Sequence, residues 1–160
     1  MKKKIYLLGS TGSIGETTLN ILKKDKKNFK VELLTTFSNI KKIYKQAIYF
    51  NVKEIVIFDK KEYIKHTKKF TKKKIKVFNS IDDCFKLKKK KSYLTINAIS
   101  GIDGLEPSMK IIKYSNNLAI ANKESIICGW KFIKSELLKH NTNFIPLDSE
   151  HFSIWSLIKN

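Results

Sequence analysis

The chain has no arginine, and cysteine, proline, tryptophan and methionine occur only twice each among its 160 residues. The two cysteines, Cys84 and Cys128, form no Cys-x-x-Cys pair and have no zinc-like spacing to a histidine. A disulfide framework and a structural zinc site are therefore excluded, and reduced thiols in a cytoplasmic setting are expected. No apolar run approaches the ~18 residues that a membrane span needs, so no membrane partner is expected. The start MKKKIYLLGS leads directly into an apolar strand, which argues against a targeting peptide.

The missing arginine also bears on the charge. Thirty-three basic against 14 acidic residues give a net charge of +19, a balance that points toward nucleic acid. Every basic residue is a lysine, however, although the arginine fork is the group that best fits phosphates and guanine edges. Lysine, isoleucine and asparagine share A/T-rich codons, and all three are abundant; base composition accounts for the excess better than a nucleic-acid partner does. A basic nucleic-acid-binding domain stays as the alternative reading. What survives of function in the charge is a field that steers an anionic sugar phosphate and a dinucleotide. The length suits one domain that buries about 70% of its unfolded surface.

The most informative segment is Ile5 to Gly15, IYLLGSTGSIG. An apolar strand runs into Gly9, Gly12 and Gly15, and a helix-forming stretch follows. Glycines allow the turn and the close approach of a pyrophosphate, which a helix N-terminus then receives with unpaired N–H groups and a positive dipole. Ser10, Thr11 and Ser13 add hydroxyl donors. The spacing departs from the common Gly-x-Gly-x-x-Gly, and a purely structural glycine turn is the competing reading. A second strand, Val31–Thr36, ends in Phe37, Ser38 and Asn39, followed by Lys41 and Lys42. NAD-selective sites place an acid at that strand end to hold the ribose 2′-hydroxyl. None is present, so NADPH is favoured over NADH, unless the segment is only a polar loop.

Strands are expected at Lys4–Leu8, Val31–Thr36, Glu54–Phe58, Ile75–Phe78, Tyr93–Ala98, Leu118–Ala121 and Asn143–Leu147. Helices are expected near 15–24, 40–50, 61–70, 81–87, 106–114 and 124–139, the last with an apolar stripe of Ile126, Trp130, Ile133 and Leu137. The alternation predicts an α/β fold with a doubly wound, mainly parallel sheet of Rossmann type. Ligands bind such sheets beyond the carboxyl ends of the strands. Three polar segments lie there: Ser100–Gly104, Asn122–Ser125 and Asp148–His151.

Asp148 and Glu150, at i and i+2 after a strand, share a side only if the backbone is extended. Two hard oxygen donors there suit Mg²⁺ or Mn²⁺ and leave coordination positions for substrate. Asp148 or Ser149 as a helix cap is the alternative. Lys123 is placed to reach a substrate oxygen or phosphate, and Asn122 and Glu124 to reach a cofactor; His151 fits a supporting role beside the carboxylates. His66 and His140 fall in lysine-rich surface helices. Tyr49 and Lys53 imitate the Tyr-x-x-x-Lys pair of short-chain dehydrogenases, but six tyrosines in so lysine-rich a chain make one such pair an expected coincidence.

In chain order GSTGSIG (Gly9–Gly15), NAISGIDGLEP (Asn97–Pro107), ANKES (Ala121–Ser125) and PLDSEH (Pro146–His151) closely resemble the N-terminal part of the 1-deoxy-D-xylulose 5-phosphate reductoisomerase family. The resemblance spans essentially the whole chain. It implies an NADP-dependent oxidoreductase that uses a divalent metal to rearrange and reduce 1-deoxy-D-xylulose 5-phosphate to 2-C-methyl-D-erythritol 4-phosphate, in non-mevalonate isoprenoid synthesis; another NADP-linked oxidoreductase of this fold is the alternative. By the same resemblance Thr11, Gly12, Ser13 and Ile14 line the NADPH pyrophosphate, and Phe37, Ser38 and Asn39 form the 2′-phosphate loop. Asn122 and Glu124 touch the cofactor, Lys123 and Ser149 the substrate, and Asp148 and Glu150 the metal, with Glu150 also facing substrate. One departure is that the family often has Gly-Lys-Asn where this chain has Phe37-Ser38-Asn39, so that Lys41 or Lys42 would have to replace the missing lysine. The family continues well beyond this length. An inactive N-terminal fragment is therefore implied, with a Rossmann-type domain over residues 1–130, the truncated start of a catalytic α+β domain over 131–160, and a homodimer for the full-length protein.

Overall fold

Seven strands form one sheet in the computed structural model, which describes residues 1–86 and 91–147. They are β1 (Lys3–Leu8), β2 (Phe29–Thr36), β3 (Glu54–Ile57), β4 (Lys76–Phe78), β5 (Leu94–Asn97), β6 (Asn117–Ile120) and β7 (Asn143–Pro146). The order is β4-β3-β2-β1-β5-β6-β7, and every pairing is parallel. Between them run α1 (Ser13–Lys24), α2 (Ile40–Tyr49), α3 (Lys60–Thr71), α4 (Ile81–Phe85), α5 (Leu105–Ile111) and α6 (Lys123–Lys139).

Side chains alternate across each strand, and both faces of this sheet are covered. Ile5 and Leu7 of β1 face Leu19 and Leu22 of α1, Ile43 and Ala47 of α2, and Phe70 of α3. Tyr6 and Leu8 face the opposite layer, built from Ile81 and Phe85 of α4, Ile111 of α5, and Ile126, Ile133 and Leu137 of α6. This explains why Ile5–Leu8 reads as an unbroken apolar run. The chain leaves β1 for β2 on one side and later returns to β5 on the other; the helices switch faces there, opening a crevice beyond the carboxyl ends of β1 and β5.

The expected elements occur in the expected order, with four differences. A single helix near 106–114 proves to be three pieces: a 3₁₀ turn at Ile102–Gly104, α5, and a second 3₁₀ turn at Ile112–Tyr114. Trp130, expected in the buried stripe of α6, is 39% exposed and packs instead on Phe144 of the edge strand, with ring centroids 5.0 Å apart. The register of β1 on β2 skips at Ile5/Tyr6, so Glu32 bulges out of β2. Lastly, the expected boundary between residues 130 and 131 falls inside α6, and β7 beyond it joins the same sheet. No helix among the described residues is long and apolar enough to cross a membrane.

Candidate functional site

A cleft of about 1070 Å³ opens at the crevice. Its walls come from the ends of adjacent strands: Gly9, Thr11 and Gly12 after β1, Thr36 and Phe37 at β2, Phe58 after β3, Asn79 after β4, and Ala98–Ser100 after β5, with Leu105, Met109 and Lys110 of α5 opposite.

The three glycines have different reasons to be glycine. Gly9 has φ +71°, a left-handed conformation, and a Cβ there would lie 2.9 Å from the Ala98 carbonyl. At Gly15 a Cβ would strike the Gly9 carbonyl oxygen and lie 2.7 Å from Ser10 Cα, so α1 can approach the turn only without it. Gly12 differs: its φ of −80° suits any residue, and a Cβ would meet no protein atom closer than 3.6 Å. The space beside Gly12 is left to the cleft.

The turn is clamped from β2 and α2. The Gly9 N–H donates to Thr35 Oγ1 at 2.9 Å, the Ser10 N–H to the Thr35 carbonyl at 2.9 Å, and the Thr11 and Thr36 hydroxyls meet at 2.8 Å. Ser10, expected as a donor to ligand, is fully buried; its one hydroxyl proton is shared between Gln46 Oε1 at 2.8 Å and the Thr35 carbonyl oxygen at 3.1 Å. Gln46 Nε2 in turn donates to the Ser10 carbonyl at 2.9 Å. Nothing in the sequence marked Gln46, because its role depends on how α2 is rotated against β1.

Side-chain caps separate α1 from α2, α3, α4 and α6; α5 also has none, but it continues directly from the 3₁₀ turn at Ile102–Gly104. Asn39, Asp59, Ser80 and Asn122 each accept a backbone N–H at the start of α2, α3, α4 and α6, satisfying donors that a helix start leaves open. No side chain caps α1. Its first turn begins at Gly12 on the cleft wall, with Ser13 and Ile14 exposed. An anion is the natural cap for such an end.

At the end of β2, Phe37, Ser38 and Asn39 are exposed and no acid stands among them; Phe37 is 68% exposed while lining the cleft. Asn39 uses Oδ1 to accept the Lys42 N–H. The acid of this strand, Glu32, sits at the bulge with Lys4 and Lys30 each at 3.0 Å. Burial pushes its carboxyl up, but hydrogen bonds from those two ammoniums outweigh it and hold the group below the ordinary carboxylate range.

On the β5 side, Asn97 donates to the Gly104 carbonyl at 2.8 Å and to Ser108 Oγ at 2.6 Å, fixing the 99–104 loop. Asn122, expected to touch a cofactor, directs its amide at this loop as well: Nδ2 donates to the Ile99 carbonyl at 2.7 Å while Oδ1 caps α6. Lys123 and Glu124 follow it, exposed in the first turn of α6. Tyr49 and Lys53 flank the start of β3, at the opposite end of the strands from the cleft. Asp148, Ser149, Glu150 and His151 lie outside the described residues, and the described residues contain no group of three or more metal-ligating side chains.

The family model for 1-deoxy-D-xylulose 5-phosphate reductoisomerase matches residues 5–129. The chain belongs to this family. A family member from Pelagibacter ubique (strain HTCC1062) is 52% identical over 160 residues, covering 99% of this chain and 41% of that protein. Among solved family members, the Zymomonas mobilis enzyme in complex with NADPH superposes with a TM-score of 0.83 at 28% identity, over 94% of this chain and 40% of that one. A complex with NADPH, fosmidomycin and magnesium gives 0.83 at 25% identity, over 93% and 37%. The chain thus spans about two-fifths of the length of the relatives it matches.

Proposed function

We propose that this chain provides the NADPH-binding part, and the opening of the metal site, of a 1-deoxy-D-xylulose 5-phosphate reductoisomerase. The observation that carries the reading is the uncapped start of α1 at Gly12, on the cleft wall, where no close packing of the protein demands a glycine. A pyrophosphate there would accept the first-turn N–H groups of Ser13 and Ile14, with Thr11 alongside. Phe37 offers a flat apolar face to the adenine, Ser38 and Asn39 border the 2′-phosphate, and Glu124 approaches the cofactor from α6. Asn122 acts by holding the Ile99 carbonyl, and through it the cleft wall.

NADPH bound here would supply the hydride that reduces an aldehyde. Asp148 and Glu150, which follow β7 in sequence, are the carboxylates that would hold Mg²⁺ or Mn²⁺, since hard oxygen donors suit such an ion. Lys123, Ser149 and Glu150 would orient the sugar phosphate, with the Lys123 ammonium stabilising negative charge on its oxygens. The cofactor unit then includes the sheet through β7, with the catalytic part beginning beyond it; the complete protein works as a cytoplasmic homodimer without nucleic-acid or membrane partners.

Calorimetric titration of the 160-residue chain tests the reading. NADPH binding at one site per chain is expected, tighter than NADH. Absence of binding by either nucleotide would overturn it.

A further inference from the structure

We infer that Lys42 reads the 2′-phosphate of the cofactor, with Glu16 as its counter-ion until that phosphate arrives. The inference rests on the NADPH reading above and adds the residue that makes it selective. On α2, Lys42 and Gln46 stand four residues apart and so share one flank. That flank faces the glycine turn: Gln46 grips Ser10 at 2.9 and 2.8 Å, and Lys42 Nζ lies 3.4 Å from the Thr11 carbonyl oxygen and 2.9 Å from Glu16 Oε1. Lys41 stands about 100° further round the helix, away from this flank.

Thr11 lines the cleft, as do Thr36 and Phe37. The Lys42 ammonium is therefore held where the end of β2 meets the turn after β1, the place at which this fold class receives the ribose 2′ position. No residue from 37 to 39 carries a charge, and the Asn39 side chain is engaged as the cap of α2. Lys42 supplies what that loop lacks.

The pairing with Glu16 fits a replaceable contact. Lys42 and Glu16 are 46% and 43% exposed, and an ion pair so open to water contributes little. A phosphate carrying close to two charges outcompetes one carboxylate for the ammonium. NADH, with only a hydroxyl at that position, has nothing to offer Lys42.

Titrating NADPH and NADH into the unsubstituted chain and three variants tests this, with circular dichroism to confirm folding. Lys42→Met should weaken NADPH binding by about ten- to a hundredfold, the range of a lost hydrogen bond between charged groups, and leave NADH unchanged. Lys42→Arg should keep the preference, and Glu16→Gln should tighten NADPH a few-fold without affecting NADH. Equal losses for both nucleotides in Lys42→Met, or no loss, would overturn the role of Lys42; an unaltered NADPH affinity in Glu16→Gln would overturn the counter-ion exchange. If the unsubstituted chain binds both nucleotides alike, the dinucleotide site stands and the selectivity proposal falls. If it binds neither, the NADPH reading fails and takes this proposal with it.

Discussion

Replacing Gly12 and Gly15 separately by alanine should have opposite consequences. At Gly15 the new methyl would lie 2.7 Å from Ser10 Cα and against the Gly9 carbonyl, both main-chain atoms of a turn already fixed by Thr35 and Gln46. Neither neighbour can swing aside as a side chain would, so α1 must retreat from the sheet. Overpacking of this kind costs about 1–3 kcal/mol. For a chain of this size each kcal/mol lowers Tm by about 2–4 °C, which places the loss at roughly 2–12 °C. At Gly12 the methyl meets nothing closer than 3.6 Å, and the backbone is already extended. Alanine there is a poorer cap than glycine by about 0.5–1 kcal/mol, but it reduces the freedom of the unfolded chain by a similar amount. Its Tm should therefore stay within about 2 °C of the unsubstituted chain, while NADPH affinity falls because the methyl occupies the ligand's approach. Gly12→Val should abolish binding and leave the fold. Differential scanning calorimetry together with NADPH titration reads both effects. Equal destabilisation by the two alanines, or normal NADPH binding by Gly12→Val, would refute the division of roles.

Three further outcomes are expected. Gln46→Ala should lower Tm by a few degrees and weaken NADPH and NADH equally, since the turn it holds serves the pyrophosphate common to both; a loss confined to NADPH would contradict this. Glu32 has a folded-state carboxyl below its ordinary 4.5, so its stabilising contribution is complete above that pH and is lost as pH falls through the folded value. The Tm advantage over Glu32→Gln should thus be present at pH 7 and shrink progressively as pH falls below 4.5; a difference independent of pH would refute the assignment. In a full-length chimera carrying a family C-terminal part, Asp148→Asn or Glu150→Gln should abolish turnover while leaving NADPH affinity intact, and an active double variant would contradict the metal roles.

The elements of the sheet were legible because each strand is a short buried run and each helix shows an apolar flank. Ile5–Leu8 and Leu33–Thr36 lie buried between two helical layers, which is how a parallel sheet declares itself in sequence. Features that depend on rotation or proximity were not legible. Ser10 reads as a ligand donor until Gln46 is seen against it, and Trp130 reads as core until β7 proves to be an edge strand that leaves it half covered. Lys42 is one lysine among 33 in the sequence; only the phase of α2 singles it out. The glycine motif announced a turn, but not which glycine the protein requires and which it leaves to a ligand.

The central claim is that NADPH seats its pyrophosphate on the uncapped start of α1, in the cleft between the ends of β1 and β5. Amide chemical-shift mapping of the isotopically labelled chain during NADPH titration measures this directly. The account predicts the largest shifts at Thr11–Gly15, with further shifts at Phe37–Asn39 and Ile99–Gly104 and none at the N-terminal ends of the strands. Saturable binding whose shifts fall elsewhere, with Gly12 to Ile14 unmoved, would contradict it.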